Sequence, residues 1–284
     1  MKNLGNLAGL LVAATTLSAC SAFGLINAVS SSSHYERHAD LPYGDQPRQS
    51  LDVYQPRKPA DQAPVVVFFY GGGWNSGAKE DYEFVASSLT ERGFVVLLPD
   101  YRLYPEVKFP AFVADAAAAL KWALDYVGEY GGDPERIFVM GHSAGAHIAA
   151  MALLDKQYLG EGDNRERLAG FIGLSGPYDF LPIRKGYLVD VFPENSREQS
   201  QPVSHAGPHA PPTLLIHGKD DSVVKPANSQ RLAQELDAAG VPVELKIYDG
   251  VGHARVAAAL APPLDFIAST LEDAIRFMEK QRDN

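Results

Sequence analysis

The chain has 284 residues, 46% of them hydrophobic and 21% charged, with a formal net charge of −10 at pH 7 and a single cysteine. That length and apolar fraction suit one large α/β domain with a sizeable core. The acidic balance, with no run of Lys and Arg interleaved with aromatics, excludes nucleic acid as the main partner, and one cysteine excludes a disulfide framework within the chain.

Lys2 precedes a mostly apolar stretch, Leu7 to Ala19, that is too short to span a bilayer and reads as the core of a secretory signal. Its end, "LSAC", resembles a bacterial lipobox. The resemblance implies that residues 1–19 are a signal peptide and that Cys20 carries a lipid that holds the mature chain to a membrane. The expected location is the bacterial cell envelope, and Ser21 in place of an aspartate points to the outer membrane or its periplasmic face. Residues 20–40, which include four consecutive serines at Ser30 to Ser33, read as a flexible tether. Residues 41–284 read as one folded domain.

Within that domain, short apolar runs rich in β-branched and aromatic residues predict buried strands at Val65 to Tyr70, Phe94 to Pro99, Ile137 to Gly141, Phe171 to Gly176, Thr213 to Gly218 and Val243 to Gly250. Helical periodicity predicts helices over Asp81 to Arg92, Ala111 to Tyr130, Ala144 to Leu154, Pro226 to Ala239 and Leu264 to Arg282, several of them stopped by a glycine. Strand and helix in alternation predict a mainly parallel sheet covered by helices on both faces, with functional groups at the carboxyl ends of the strands. Residues 178–211 are proline-rich and lack a clear period, so they read as a short cap over that edge, in which Tyr178, Phe180, Tyr187, Val191 and Phe192 either wall a pocket or pack onto the sheet.

The pattern Gly141-His-Ser-Ala-Gly145 falls between a predicted strand and a predicted helix, the setting of a nucleophile elbow with Ser143 at its crest. A serine hydroxyl needs a positioned base and a group that orients the base. Of the eight histidines, His253 lies in the loop "DGVGHA" after the last predicted strand, where a base belongs, whereas His34, His38, His142, His147, His205, His209 and His217 fall elsewhere. The loop "HGKDDSVV" offers Asp220 and Asp221, and the spacing G-x-x-D-x-x-V selects Asp221. The order Ser143, Asp221, His253 is the one expected for this arrangement. Upstream, three successive glycines in "YGGGWNSG" bring backbone close to something. The N–H groups of Gly72, Gly73 and Ala144 are the candidates for holding a developing oxyanion. No glycine-rich phosphate loop or metal-spaced cluster accompanies them, so neither cofactor nor metal is called for.

Together "YGGGW", "DYRLYPE", "GGDPERIFVMGHSAGAH", "HGKDDSVV" and "GVGHA" resemble the α/β-hydrolase esterases of the bacterial carboxylesterase and hormone-sensitive-lipase type, over about Gln49 to Lys280. Within that group the chain looks most like the branch holding isoprenylcysteine methylesterase-like and kynurenine-formamidase-like enzymes. The resemblance implies a small-molecule ester as substrate, an acyl-enzyme mechanism, no cofactor, and loop-bracing roles for Asp100 and Arg102. It departs from the family at Tyr70, where related esterases usually have His, a change that bears on loop geometry and substrate range more than on mechanism. Two alternatives share the fold: an amidase or aryl formamidase using the same three residues, and a non-catalytic envelope-anchored binding protein.

Overall fold

A computed structural model describes residues 23–58, 62–160, 164, 167–184 and 186–282. Cys20 and the signal stretch lie outside the described residues. Eight strands form one sheet: β1 (Tyr35–Pro42), β2 (Ser50–Pro56), β3 (Ala63–Phe69), β4 (Val95–Pro99), β5 (Gly132–His142), β6 (Leu168–Leu174), β7 (Thr213–Gly218) and β8 (Val243–Tyr248). They lie in the order β1-β2-β4-β3-β5-β6-β7-β8. From β4 to β8 every neighbouring pair is parallel, while β1 and β2 add an antiparallel edge through the β2–β4 pairing.

The longer helices are α1 (Glu83–Glu91), α2 (Ala111–Tyr126), α3 (Ala144–Leu154), α4 (Ala227–Ala238), α5 (His253–Ala258) and α6 (Thr270–Arg282). Successive residues of β3, Val65 to Phe69, are all fully buried, so both faces of the sheet are covered there. The strand over Val243–Tyr248 differs from the buried one expected from its composition, because it closes the sheet's edge and stays half-buried along its length.

Two strands escape the apolar pattern for a physical reason. β1 is charged and mostly exposed, and the apolar run of β2 is broken by Asp52. That carboxylate is fully buried, receives Arg37 Nη2 at 2.6 Å, and lies 3.1 Å from Lys79 Nζ. A charge is tolerated in such a place only when it is paired.

The tether expected over residues 20–40 is corrected by the described part of it. Residues 23–29 are helical and Tyr35–Pro42 is strand β1. The cause is apolar packing: Phe23 is buried against Tyr82 and Phe84, with ring centroids 4.9 and 5.5 Å away, and Tyr35 is buried against Tyr54. The serines contribute anchors instead of slack, since Ser87 Oγ donates to the carbonyl of Ser31 at 2.8 Å.

Helix α3 crosses the carboxyl ends of β3 and β5 at close range. A Cβ on Gly145 would fall on the backbone carbonyl oxygens of Phe69 and Tyr70, and one on Gly141 would meet the backbone of Gly145 at 2.7 Å. Both glycines of the elbow are therefore demanded by the crossing. Gly145→Ala is expected to destabilise the fold by about 1–3 kcal/mol through overpacking. Urea denaturation followed by tryptophan fluorescence checks this, and an unchanged midpoint would contradict the close approach.

Candidate active site

Ser143 joins β5 to α3 with φ 54° and ψ −123°, a conformation that costs a non-glycine residue roughly 1–3 kcal/mol. The neighbouring strand holds it there: the Ser143 N–H donates to the Leu174 carbonyl at 2.9 Å, and its own carbonyl accepts the His147 N–H at 3.1 Å. The turn lifts the hydroxyl out of the sheet. His253, the first residue of α5, meets it, with Nε2 2.8 Å from Ser143 Oγ and Nδ1 2.7 Å from Asp221 Oδ2. A carboxylate only accepts, so Nδ1 carries the proton and Nε2 is left to accept from the serine.

Asp221 follows β7 and is almost completely buried, whereas Asp220 beside it is exposed. Burial alone would raise its pKa. Hydrogen bonds from His217 and His253, and from the backbone N–H of Val224, outweigh that and hold the carboxyl well below the usual range. Oδ1 takes the N–H groups of Val223 and Val224 at 2.9 and 2.8 Å. His217, fully buried, has Nε2 3.2 Å from Oδ2 and 2.9 Å from the Val224 carbonyl, and its Nδ1 accepts from Ser229 Oγ at 2.7 Å.

The glycine loop lies across from Ser143. Gly72 and Gly73 have φ of 142° and 60°, and the Gly72 carbonyl is turned away to accept the N–H groups of Asn75 and Ser76. Among the described residues, the N–H groups of Gly72, Gly73 and Ala144 meet no protein acceptor. Tyr70, the departure from the family pattern, is buried and stacks on Tyr101 at 4.5 Å, and its hydroxyl accepts from Arg48 Nη2 at 2.6 Å. The same Arg48 nitrogen donates to the Gly77 carbonyl at 2.9 Å, so one guanidinium pins both ends of the loop. Asp100 Oδ1 accepts the Lys79 N–H just beyond the loop at 3.0 Å, while Arg102 pairs with Asp115 of α2 at 2.7 Å.

Segment 178–211 is anchored to the core by a few of its described residues. Tyr178, Val191 and Phe192 are fully buried, while Tyr187 stays partly exposed and donates its hydroxyl to the Gly73 carbonyl at 3.1 Å. His147 fastens the segment: its Nδ1 accepts Trp74 Nε1–H at 3.2 Å and its Nε2 lies 2.8 Å from the Ser200 carbonyl. Sequence reasoning placed Ser143, Asp221 and His253 in three separate loops, and the structure brings them together. It missed His217, His142, Tyr82 and Arg48. Only His142 and His217 carried a signal, each standing within four residues of Ser143 or Asp221. Among the described residues no group of three or more His, Cys, Asp or Glu is placed to hold a metal.

The parallel sheet, the elbow and the hydrogen-bonded Ser, His and Asp at its carboxyl edge define an α/β-hydrolase. The BD-FAE profile matches residues 51–236, and the chain belongs to that family. It is 35% identical to the isoprenylcysteine alpha-carbonyl methylesterase of Arabidopsis thaliana, over 74% of this chain and 55% of that one. It is 34% identical to esterase LipC of Mycobacterium tuberculosis, over 69% of this chain and 54% of that one. The chain spans about half the length of the curated relatives it matches. Among solved structures, Thermogutta terrifontis esterase 2 phosphoramylated by tabun superposes with a TM-score of 0.71 at 28% identity, over 88% of this chain and 96% of that one.

Burial holds two histidines neutral. It pushes His142 down to about 3, with the nearby His253 adding to the effect, and His147 down to about 4. The unfolded chain, in which a histidine titrates near 6.5, then binds more protons than the folded one below that value. Their contribution to stability is complete above about pH 6.5 and is lost as the pH falls, towards 4 for His147 and towards 3 for His142, at up to roughly 1.4 kcal/mol per pH unit for each histidine. Urea midpoints are expected to drop between pH 7 and pH 5, and less so in His147→Gln. Equal midpoints at both pH values would contradict the neutral burial.

Proposed function

We propose that this protein is a serine carboxylesterase hydrolysing small to medium acyl esters through an acyl-enzyme intermediate. The observation that carries the reading is the continuous hydrogen-bonded line from Ser143 Oγ through His253 to Asp221. Ser143 attacks the acyl carbonyl while His253 Nε2 takes its proton, and Asp221 holds the imidazole and stabilises its charged form. The unpartnered N–H groups of Gly72, Gly73 and Ala144 receive the oxyanion. His253 then protonates the leaving alcohol, and water repeats the sequence to release the acid. The relatives named as esterases and a methylesterase support ester over amide as the bond broken. The shortness of the cap, anchored through the buried Tyr178, Val191 and Phe192, supports small and medium acyl groups.

An envelope location belongs to the same proposal and rests on the signal-like stretch and the lipobox-like "LSAC" before Cys20. Among the described residues no helix is long and apolar enough to cross a membrane; the proposed attachment is a lipid on Cys20. In a bacterial host, Cys20→Ser is expected to abolish incorporation of labelled palmitate and to release the protein from the membrane fraction. Unchanged fractionation would remove the anchor from the reading.

The activity is tested with a p-nitrophenyl ester series from acetate to dodecanoate. Acetate or butyrate is expected to be turned over, with Ser143→Ala inactive and Asp221→Asn slowed by about four orders of magnitude in kcat. No turnover of any ester, together with no labelling of Ser143 by a fluorophosphonate probe, would overturn the esterase.

A further inference from the structure

Two buried residues that the proposed mechanism does not use lie between the three loops that it does. Tyr82 ends the short 3-10 turn Lys79–Tyr82, and His142 is the last residue of β5. Both side chains are almost completely buried. The Gly71 N–H donates to the Tyr82 hydroxyl at 3.3 Å, that hydroxyl lies 2.9 Å from His142 Nδ1, and His142 Nε2 lies 3.2 Å from the carbonyl oxygen of His253.

The ends of this chain fix its direction. A backbone amide only donates and a backbone carbonyl only accepts. His142 must therefore carry its single proton on Nε2, to donate to His253. That leaves Nδ1 to accept from the Tyr82 O–H, and the Tyr82 oxygen to accept from Gly71. Protonating His142 would put a second N–H against a hydroxyl already turned towards it, and would set a charge in a ring 4.9 Å from that of His253. Burial keeps the imidazole neutral. Phe23 closes the site from outside, with its ring 4.9 Å from Tyr82 and edge-on to His142 at 6.4 Å.

Each link ends next to a group that the reaction needs. Gly71 precedes the oxyanion glycines Gly72 and Gly73, His142 precedes Ser143, and the last acceptor is the backbone of His253 itself. The loops are also in close contact there, since a Cβ on Gly71 would lie 2.9 Å from His142 Nδ1 and 3.0 Å from Ser143 Cβ. We propose that Tyr82 and His142 are positioning residues that couple the oxyanion loop, the nucleophile elbow and the base loop through one directional hydrogen-bonded chain. The inference rests on the esterase reading of Ser143, Asp221 and His253. The chain sets the loops relative to one another before substrate arrives, so its loss falls on the transition state more than on substrate binding.

The test compares Tyr82→Phe, His142→Gln, His142→Leu and the double variant Tyr82→Phe/His142→Leu with wild type, using p-nitrophenyl acetate. The rate of Ser143 labelling by a fluorophosphonate is followed in parallel. Tyr35→Phe serves as control, because it removes another buried tyrosine's hydroxyl, one that donates to Glu83 at 2.7 Å and is no link of the chain. The expected result for Tyr82→Phe is a kcat and a labelling rate about 10- to 30-fold lower with KM within about twofold, since a buried donor and acceptor both lose their partner. Tyr35→Phe is expected to keep the wild-type kcat. His142→Gln, which retains a donor and an acceptor, is expected to recover most of the kcat that His142→Leu loses. The double variant is expected to be no slower than the worse single one, because one broken link already interrupts the chain.

A Tyr82→Phe kcat within twofold of wild type, an equal loss in Tyr35→Phe, or single losses that multiply in the double variant would each overturn the coupling while leaving the esterase standing. A wild-type protein that neither hydrolyses ester nor takes the label would overturn both.

Discussion

Everything at the site hangs on one backbone turn, the passage from β5 into α3 through Ser143 at a positive φ. The turn is unfavourable in isolation and persists because its surroundings leave no alternative. Leu174 of β6 captures its amide, the helix captures its carbonyl, and α3 lies so close to the ends of β3 and β5 that the chain has no room to relax. The parallel strands at the centre of the sheet, β3 to β7, buried along most of their length, supply that rigidity. The loops after β3, β5, β7 and β8 then open on the same edge of the sheet, which is why residues as far apart as Gly72 and His253 share one site.

Around that turn the protein sorts its ionisable groups by what surrounds them. Asp221 is buried but receives hydrogen bonds from two imidazoles and two backbone amides, and it keeps its charge. His142 and His147 are buried with one donor and one acceptor each, an arrangement that satisfies a neutral ring and no other state. The same low-polarity setting thus holds one charge and refuses two others. His253 faces a carboxylate on one side and the partly exposed serine on the other.

How much of this was legible in the sequence depended on whether a residue's role is local. The strands β3 to β7 are short apolar runs, and most of the helices have clear periodicity, so the parallel core could be read directly. Ser143, Asp221 and His253 each sit in a loop whose composition marks it. β1 and β2 were not legible because the apolar rhythm of β2 is interrupted by Asp52, whose partners Arg37 and Lys79 are remote in the chain or in another element. The residues read as a tether looked polar, yet Phe23 and Tyr35 hold them to the domain through contacts with residues about twenty to sixty positions away. Tyr82 and Arg48 act through hydrogen bonds that exist only after the chain has folded, and nothing in their neighbours announces them.

The elbow's two glycines and its serine answer to different demands. Gly141 and Gly145 are small because a helix passes over strand ends at backbone distance, a requirement that would remain if the molecule did no chemistry at all. Ser143 is the opposite case: its backbone angles would suit glycine better, and its side chain contributes little to the core. In a chain of this shape the glycines therefore report architecture, and only the serine reports use. A relative in which that position had reverted to glycine would keep the outline of the motif and the whole of the fold, and would be relieved of the local strain as well. The hydroxyl is kept at a cost in stability, so the informative letter of the five is the one that fits its place least comfortably.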